Sequence, residues 1–292
     1  MKIAIASGKG GTGKTLVTAS LSASWGRPVV AVDLDVEEPN LHLFLKPDIT
    51  GSRDALMEVP QVDTSKCDYC RKCAEFCEYK AISVLGDVIM IFPEMCHGCG
   101  GCLALCPTGA LTPAHRKLGE VSWGTSGENR FLMGRLRVGE AMSPPLIHQV
   151  MTELKRPEVS ADLTDVLLDA PPGVSCPAIS AVIDSDFVVL VTEPTPFGVF
   201  DLRLAHQAFT TLGKPMGVVV NRAGVGNDEV YRFCSQAGLS ILAEIPYDRA
   251  IAEAYAAGNV IARTSASMTA LFQRLAETIR QAAAPAKEAR HA

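Results

Sequence analysis

Short apolar runs alternate along this chain with stretches of helical periodicity, and the alternation is interrupted once. Lys2 to Ala6 reads as a strand running into the glycine-rich stretch Ser7 to Thr15, after which Leu16 to Trp25 suits a helix and Pro28 to Val32 a second strand. Past about Pro60 the pattern gives way to cysteines and short turns, and past about Pro113 it returns. Val166 to Leu168, Phe187 to Val191, Val218 to Val220 and Ile241 to Ile245 then read as strands, with helices over Val199 to Leu212 and Asp228 to Ala237 between them. Strands so separated imply βαβ crossovers, hence an α/β fold whose mostly parallel sheet is covered on both faces. Leu118 to Val138 suggests an extra β-hairpin around Gly124 to Gly127, and Pro144 to Leu154 begins another helix. Leu271, Phe272, Leu275 and Ile279 stripe the last helix, which is expected to pack on the sheet rather than lie on a membrane, because its polar face carries little excess positive charge. Residues after Gln281 lack a core pattern and are expected to fray. The predicted organisation is a main domain in two parts, 1–60 and 114–281, with an insertion at 61–113 and a flexible tail at 282–292.

Composition narrows the picture. The 292 residues are 48% hydrophobic, enough for a substantial core, which excludes a disordered chain and a small disulfide scaffold. The net charge of −5 argues against binding duplex nucleic acid by phosphate neutralisation. With no apolar run near the roughly 18 to 20 residues of a membrane span and no export signal, a cytoplasmic location is expected. Of the ten cysteines, all but Cys176 and Cys234 fall between Cys67 and Cys106, and such crowding in this setting points to metal rather than disulfides.

Gly8-Lys9-Gly10-Gly11-Thr12-Gly13-Lys14-Thr15 matches GxxxxGK[ST] between a predicted strand and a predicted helix. Glycines let backbone amides close around phosphate oxygens, the helix N-terminus adds a favourable dipole, Lys14 neutralises β/γ charge and Thr15 can ligate Mg2+. Lys9 makes the motif KGGTGKT, which resembles the deviant Walker A of the MinD/ParA family, a family that includes the nitrogenase iron protein and iron-sulfur carrier ATPases. The resemblance implies that Lys9 reaches across a homodimer to the partner's nucleotide. It also implies that Asp35 of the Asp33-Leu34-Asp35 segment positions the attacking water, with Asp33 near the Mg2+ shell. Val166-Leu167-Leu168-Asp169 with Ala170-Pro171-Pro172-Gly173 resembles the family's Walker B and second switch, in which Asp169 holds Mg2+ through water and the Gly173 amide senses the γ-phosphate. Thr192-Glu193-Pro194-Thr195-Pro196-Phe197-Gly198 and Val220-Asn221-Arg222 resemble later family segments, the Asn221-Arg222 pair lying near the purine, and favour ATP. Leu16 departs from relatives that place a small hydroxyl residue there.

Cys67, Cys70, Cys73 and Cys77 form CxxCxxCxxxC, and Cys96, Cys99, Cys102 and Cys106 repeat it with every member displaced by 29 residues, an internal duplication. Thiolate softness suits iron-sulfur clusters and zinc alike. The spacing resembles that of bacterial two-cluster ferredoxins, which implies two [4Fe-4S] clusters, one held by Cys67, Cys70, Cys73 and Cys106 and the other by Cys96, Cys99, Cys102 and Cys77. Pro107 follows Cys106 as in that family, whereas Glu78 follows Cys77, a departure that bears on the second cluster's environment.

The whole chain resembles MinD-superfamily ATPases with an inserted ferredoxin domain, some of which carry the label cobyrinic acid a,c-diamide synthase. Three functions are in play. The first is an ATP-dependent homodimeric switch that couples nucleotide state to electron transfer or metallocluster handling on an unidentified partner protein. The second is a MinD-like positioning ATPase whose ferredoxin portion is structural or sensory. The third is an ATP-dependent amide ligase.

Overall fold

The structure, a computed structural model, describes residues 1–161, 163 and 165–291, and side chains through residue 284. The chain opens with β1 (Lys2–Ala6), α1 (Lys14–Ser24), β2 (Val30–Asp33), α2 (Leu41–Leu45) and the long β3 (Asp48–Val62). There follow α3 (Lys72–Phe76), β4 (Ile82–Leu85), β5 (Val88–Ile91), α4 (Gly101–Leu105), β6 (Leu111–Ser126) and β7 (Asn129–Leu136). The remainder is α5 (Ser143–Glu153), α6 (Pro157–Ser160), β8 (Val166–Asp169), α7 (Cys176–Val182), β9 (Phe187–Thr192), α8 (Pro196–Thr210), β10 (Met216–Ala223), α9 (Glu229–Ala237), β11 (Ser240–Pro246), α10 (Arg249–Ala256) and α11 (Ala266–His291).

Nine strands form one sheet in the order β11-β10-β9-β1-β8-β2-β7-β6-β3. Pairing from β11 to β7 is parallel throughout, and β6 pairs antiparallel with both β7 and β3. The central strands are apolar between their ends because both faces are covered. Their residues alternate between two cores: Ala4, Val30, Val32, Leu168 and Val188 pack with α5, α7 and α8, whereas Ile3, Ile5, Ala31, Leu167 and Val189 pack with α1 and α11. The stripe on α11 does pack on the sheet, with Phe272, Leu275 and Ile279 in the second core. The helix also continues past Gln281, and Ala283 is buried, so this part of the expected frayed tail is ordered by burial; side chains from 285 onward lie outside the described residues.

The hairpin expected around Gly124 to Gly127 is present, but its first arm extends back to Leu111 and pairs along its length with β3, a strand the apolar pattern does not reveal. The ladder ends at Val62 opposite Leu111, and beyond it β4 and β5 form a separate two-stranded sheet. Here the duplication is visible in three dimensions. α3 and α4 occupy the same stretch of each repeat, and positive φ recurs at matching places: Tyr69 (55°) and Gly98 (65°), Arg71 (68°) and Gly100 (71°), Lys80 (54°) and Gly109 (63°). Ile82, Cys102 and Leu111 form a small core of their own.

Candidate functional site

The carboxyl ends of parallel strands face the crevice where ligands bind in open α/β sheets. β1 delivers the chain into the glycine loop, where Gly11 (φ 76°) and Gly13 (φ 99°) adopt the left-handed conformation that turns the backbone before α1. Gly8 is required by packing instead: a Cβ there would stand 2.0 Å from the Asp201 carbonyl oxygen on α8. The loop borders a cleft of about 390 Å³ lined by Gly10, Gly11, Gly13, Lys14, Thr15, Asp35, Asn221 and Arg222 from the sequence-derived set. That volume suits a nucleotide.

Beneath the loop, Asp33 and Asp169 end adjacent strands in register. Thr15 donates from Oγ1 to Asp169 Oδ2 at 2.7 Å and Thr18 donates to Oδ1 at 2.9 Å, while Asp33 accepts from the Leu41 and Asp35 amides at 2.9 and 3.1 Å. Burial raises the pKa of Asp33 far above the carboxylate range, and the charge of Asp169 adds to it. Burial also raises Asp169, against the hydrogen bonds from Thr15 and Thr18 and the charge of Lys14. Asp35 is pushed up to about 6, chiefly by burial, with Lys14 opposing and Asp169 adding. Lys14, itself 7% exposed, is lowered by burial and partly restored by these three acids. Two paired buried carboxylates with a hydroxyl beside them have the chemistry of a Mg2+ shell, and a divalent ion there would relieve the repulsion that raises both.

Several predicted residues are otherwise engaged. Gly173 (φ 90°) donates its amide to the Ser7 carbonyl at 3.0 Å. Asn221 donates from Nδ2 to the Thr12 carbonyl at 2.8 Å and accepts from the Arg222 amide at 2.9 Å, so it braces the glycine loop. The buried Thr12 hydroxyl has no partner among the described residues. Lys9 turns away from the cleft: its Nζ lies 2.6 Å from Glu193 Oε1, and Arg222 Nη1 holds the other oxygen of the same carboxylate at 2.6 Å. These two cations hold the Glu193 carboxyl below its ordinary range against the opposing effect of burial. The cleft is completed by Pro246, Tyr247, Asp248 and Tyr255, with Tyr255 stacked on Phe44 of α2 at 4.8 Å. Sequence reading missed these four, although their position past the end of β11 was a usable signal.

The eight clustered cysteines divide between two further cavities. Cys67, Cys70, Cys73 and Cys106 line one; Cys77, Cys96, Cys99 and Cys102 line the other. In the second, Ala81 and Gly98 direct their amides at Cys77 Sγ and Cys96 Sγ at 3.3 and 3.4 Å. Among the described residues no three His, Cys, Asp or Glu side chains converge closely enough to hold a single metal ion. Cys176 is exposed at the start of α7, and Cys234 is buried under α9.

A strand, a glycine loop closing on a helix, and paired carboxylates below it together define a P-loop nucleotide-binding protein of the mostly parallel α/β type. The chain belongs to the CobQ/CobB/MinD/ParA nucleotide-binding family, whose model matches residues 3–261. Two uncharacterised proteins of Methanocaldococcus jannaschii are similar over most of their length, one 32% identical over 289 residues (96% of this chain, 98% of that one) and one 29% identical over 264 residues (89% and 90%). An iron-sulfur cluster carrier protein of Methanococcus maripaludis is 26% identical over 230 residues, 76% of this chain and 60% of that one. Among solved structures, the septum site-determining protein MinD of Pyrococcus horikoshii with Mg-ADP superposes with a TM-score of 0.60 at 23% identity, covering 98% of each chain, a likeness of fold. No helix among the described residues is long and apolar enough to cross a membrane.

Proposed function

We propose that this protein is an ATP-dependent homodimeric switch that binds and hydrolyses ATP and couples its nucleotide state to electron transfer or metallocluster handling through two [4Fe-4S] clusters. The observation that carries the proposal is the partition of the cysteines: each cavity takes three thiols from one repeat and the last thiol from the other, the crossed ligand set of a two-cluster ferredoxin. The clusters would supply one-electron chemistry. The iron-sulfur carrier among the relatives supports the cluster side of the reading.

On the nucleotide side, Lys14 is placed to neutralise the β/γ-phosphates, Thr15, Asp33 and Asp169 to hold Mg2+, and Asp35 to orient water. Lys9 acts in trans: it would leave Glu193 at 2.6 Å and Asp201 at 4.0 Å for a phosphate of the partner subunit's nucleotide. Asn221 and Arg222, which line the cleft, would meet the base. A chain of contacts runs from Asp35 towards the thiols. Ser143 donates to Glu37, and the Leu136 amide donates to the Val36 carbonyl at 2.9 Å. Glu140, just before α5, is paired with the buried Arg116 of β6, and Arg137 spans from Glu140 (3.5 Å) to Glu94 (3.9 Å), two residues before Cys96. A shift of the Asp35 segment on binding γ-phosphate is thereby transmitted to the second cavity.

The test is anaerobic purification with iron, sulfide and zinc counts and EPR, repeated with ATP and with Lys9→Ala. About eight irons per chain, ATP-dependent dimerisation, and loss of hydrolysis without loss of iron in the variant are expected. Zinc in place of iron, or failure to bind ATP, overturns the reading.

A further inference from the structure

The two thiol cavities differ in what surrounds them. The one formed by Cys77, Cys96, Cys99 and Cys102 abuts the main domain: Cys96 packs against its core, Glu58, Val59 and Pro60 of β3 line the wall, and a Cβ on Gly98 would meet Met57 at 3.0 Å. The other, formed by Cys67, Cys70, Cys73 and Cys106, is lined only by residues from 67 to 111 and by none of the main domain; Cys70 is exposed here, as Cys99 is in the first. Their charges differ as well. Acidic Glu58 and Glu78 line the inner cavity, whereas Arg71 and Lys72, both exposed, line the outer one together with Asp68. Asp68 accepts from the Cys70 amide at 3.2 Å and stays a charged, exposed neighbour of Lys72, and Lys66 is paired with Asp63 at 3.1 Å, so the lining of the outer cavity carries two cations, Arg71 and Lys72, against one carboxylate.

The backbone gives these residues a further significance. Tyr69 and Arg71 hold left-handed φ of 55° and 68° where the other repeat has Gly98 and Gly100. Glycine adopts this conformation without strain and side chains do not. The outer loop therefore keeps an aromatic and a cationic side chain at a cost in stability, and strain kept in this way marks function.

We infer that the outer loop, with Arg71 and Lys72 beside the exposed Cys70, is the docking surface for an acidic electron-carrier protein, which exchanges one electron with the cluster held there. The inference rests on the iron-sulfur reading above. On a chain of net charge −5, a local cationic patch steers an acidic carrier to one place. A cluster held by Cys67, Cys70, Cys73 and Cys106 would take up the one electron that the carrier's centre gives up, with no bond made or broken and no proton moved.

The test is anaerobic stopped-flow reduction of the intact, cluster-loaded protein by flavodoxin hydroquinone, an acidic probe whose oxidation to the semiquinone is read apart from cluster bleaching. The methyl viologen radical cation serves as a small comparison reductant. The flavodoxin rate should fall as salt rises, fall about fivefold in Arg71→Gly and further in Lys72→Glu, and return to within about twofold of the native rate in Arg71→Lys. Reversal at the inner rim, Glu78→Lys, should leave it within about twofold, and viologen should reduce all variants at least as fast as the native protein. Arg71→Gly should melt at a higher temperature, a gain that a purely structural arginine would not give alongside a slower reaction. A native flavodoxin rate in Arg71→Gly and Lys72→Glu with full iron content, or control of the rate by Glu78, overturns the docking surface. Absence of iron from the native protein overturns the iron-sulfur reading instead.

Discussion

Asp35 concentrates the electrostatics of the nucleotide cleft in one side chain. Because its folded pKa lies above its unfolded value, the folded state binds its proton more tightly, and the stability this contributes is lost as pH rises from about 4 through about 6. Asp33 and Asp169 are raised too and act with the same sign. The nucleotide-free protein should therefore lose melting temperature over that interval, Asp35→Asn should flatten the loss, and saturating Mg-ATP should offset it; calorimetry across the pH series checks all three. Lys9 offers the opposite case. Its pair with Glu193 is partly exposed and Arg222 holds the same carboxylate, so Lys9→Ala should change stability by less than about 1 kcal/mol while abolishing hydrolysis. The glycine loop was legible because its residues are contiguous and lie between a strand and a helix. Glu193 was quoted within a motif yet its role was not legible, because it meets Lys9 across 184 residues.

Elements differ in legibility for a physical reason. β1, β8 and β9 are apolar except for Lys2, Asp169 and Thr192 at their ends, so the pattern found them to within a few residues, whereas the short α7 between β8 and β9 was not read from it. β3 is an edge strand whose outward Asp54 and Glu58, and Arg53 turned in to Glu153, interrupt the apolar signal; only Ala55, Met57 and Val59 alternate into the core. Such charges also keep a bare edge from pairing with another chain. In the insertion the cysteine spacing spoke for itself, and the crossed division of thiols between cavities, which no single repeat dictates, was an expectation drawn from the resemblance to two-cluster ferredoxins. That division has a spectroscopic consequence. Cys77→Ser should damage the same EPR signal as Cys96→Ser and leave the signal damaged by Cys67→Ser, although Cys77 belongs to the same repeat as Cys67.

Across the whole molecule, the proposed route from nucleotide to thiols includes the buried Arg116–Glu140 pair as well as the exposed Arg137–Glu94 one, and buried pairs are costly to break singly. Arg116→Met should destabilise by about 3 kcal/mol, measured by denaturant unfolding, because the buried Glu140 would keep only the partly exposed Arg137 at 3.5 Å and the Ala141 and Met142 amides as partners. Ser143→Ala is milder: it frees Glu37 without stranding a charge. It should keep ATP affinity and iron content while reducing any ATP-induced change in cluster midpoint potential, which redox titration reads directly. The manner in which β3 and β6 join the main sheet sets the mechanics of any such change. Their ladder continues the same hydrogen-bonded surface that carries the nucleotide loop, and the Arg53–Glu153 pair, 2.6 Å long, fastens its flank to α5. The cysteine-bearing end is thus a cantilever without a pivot: it deflects by twisting of the beam, in small displacements, and cannot swing away on a slack tether.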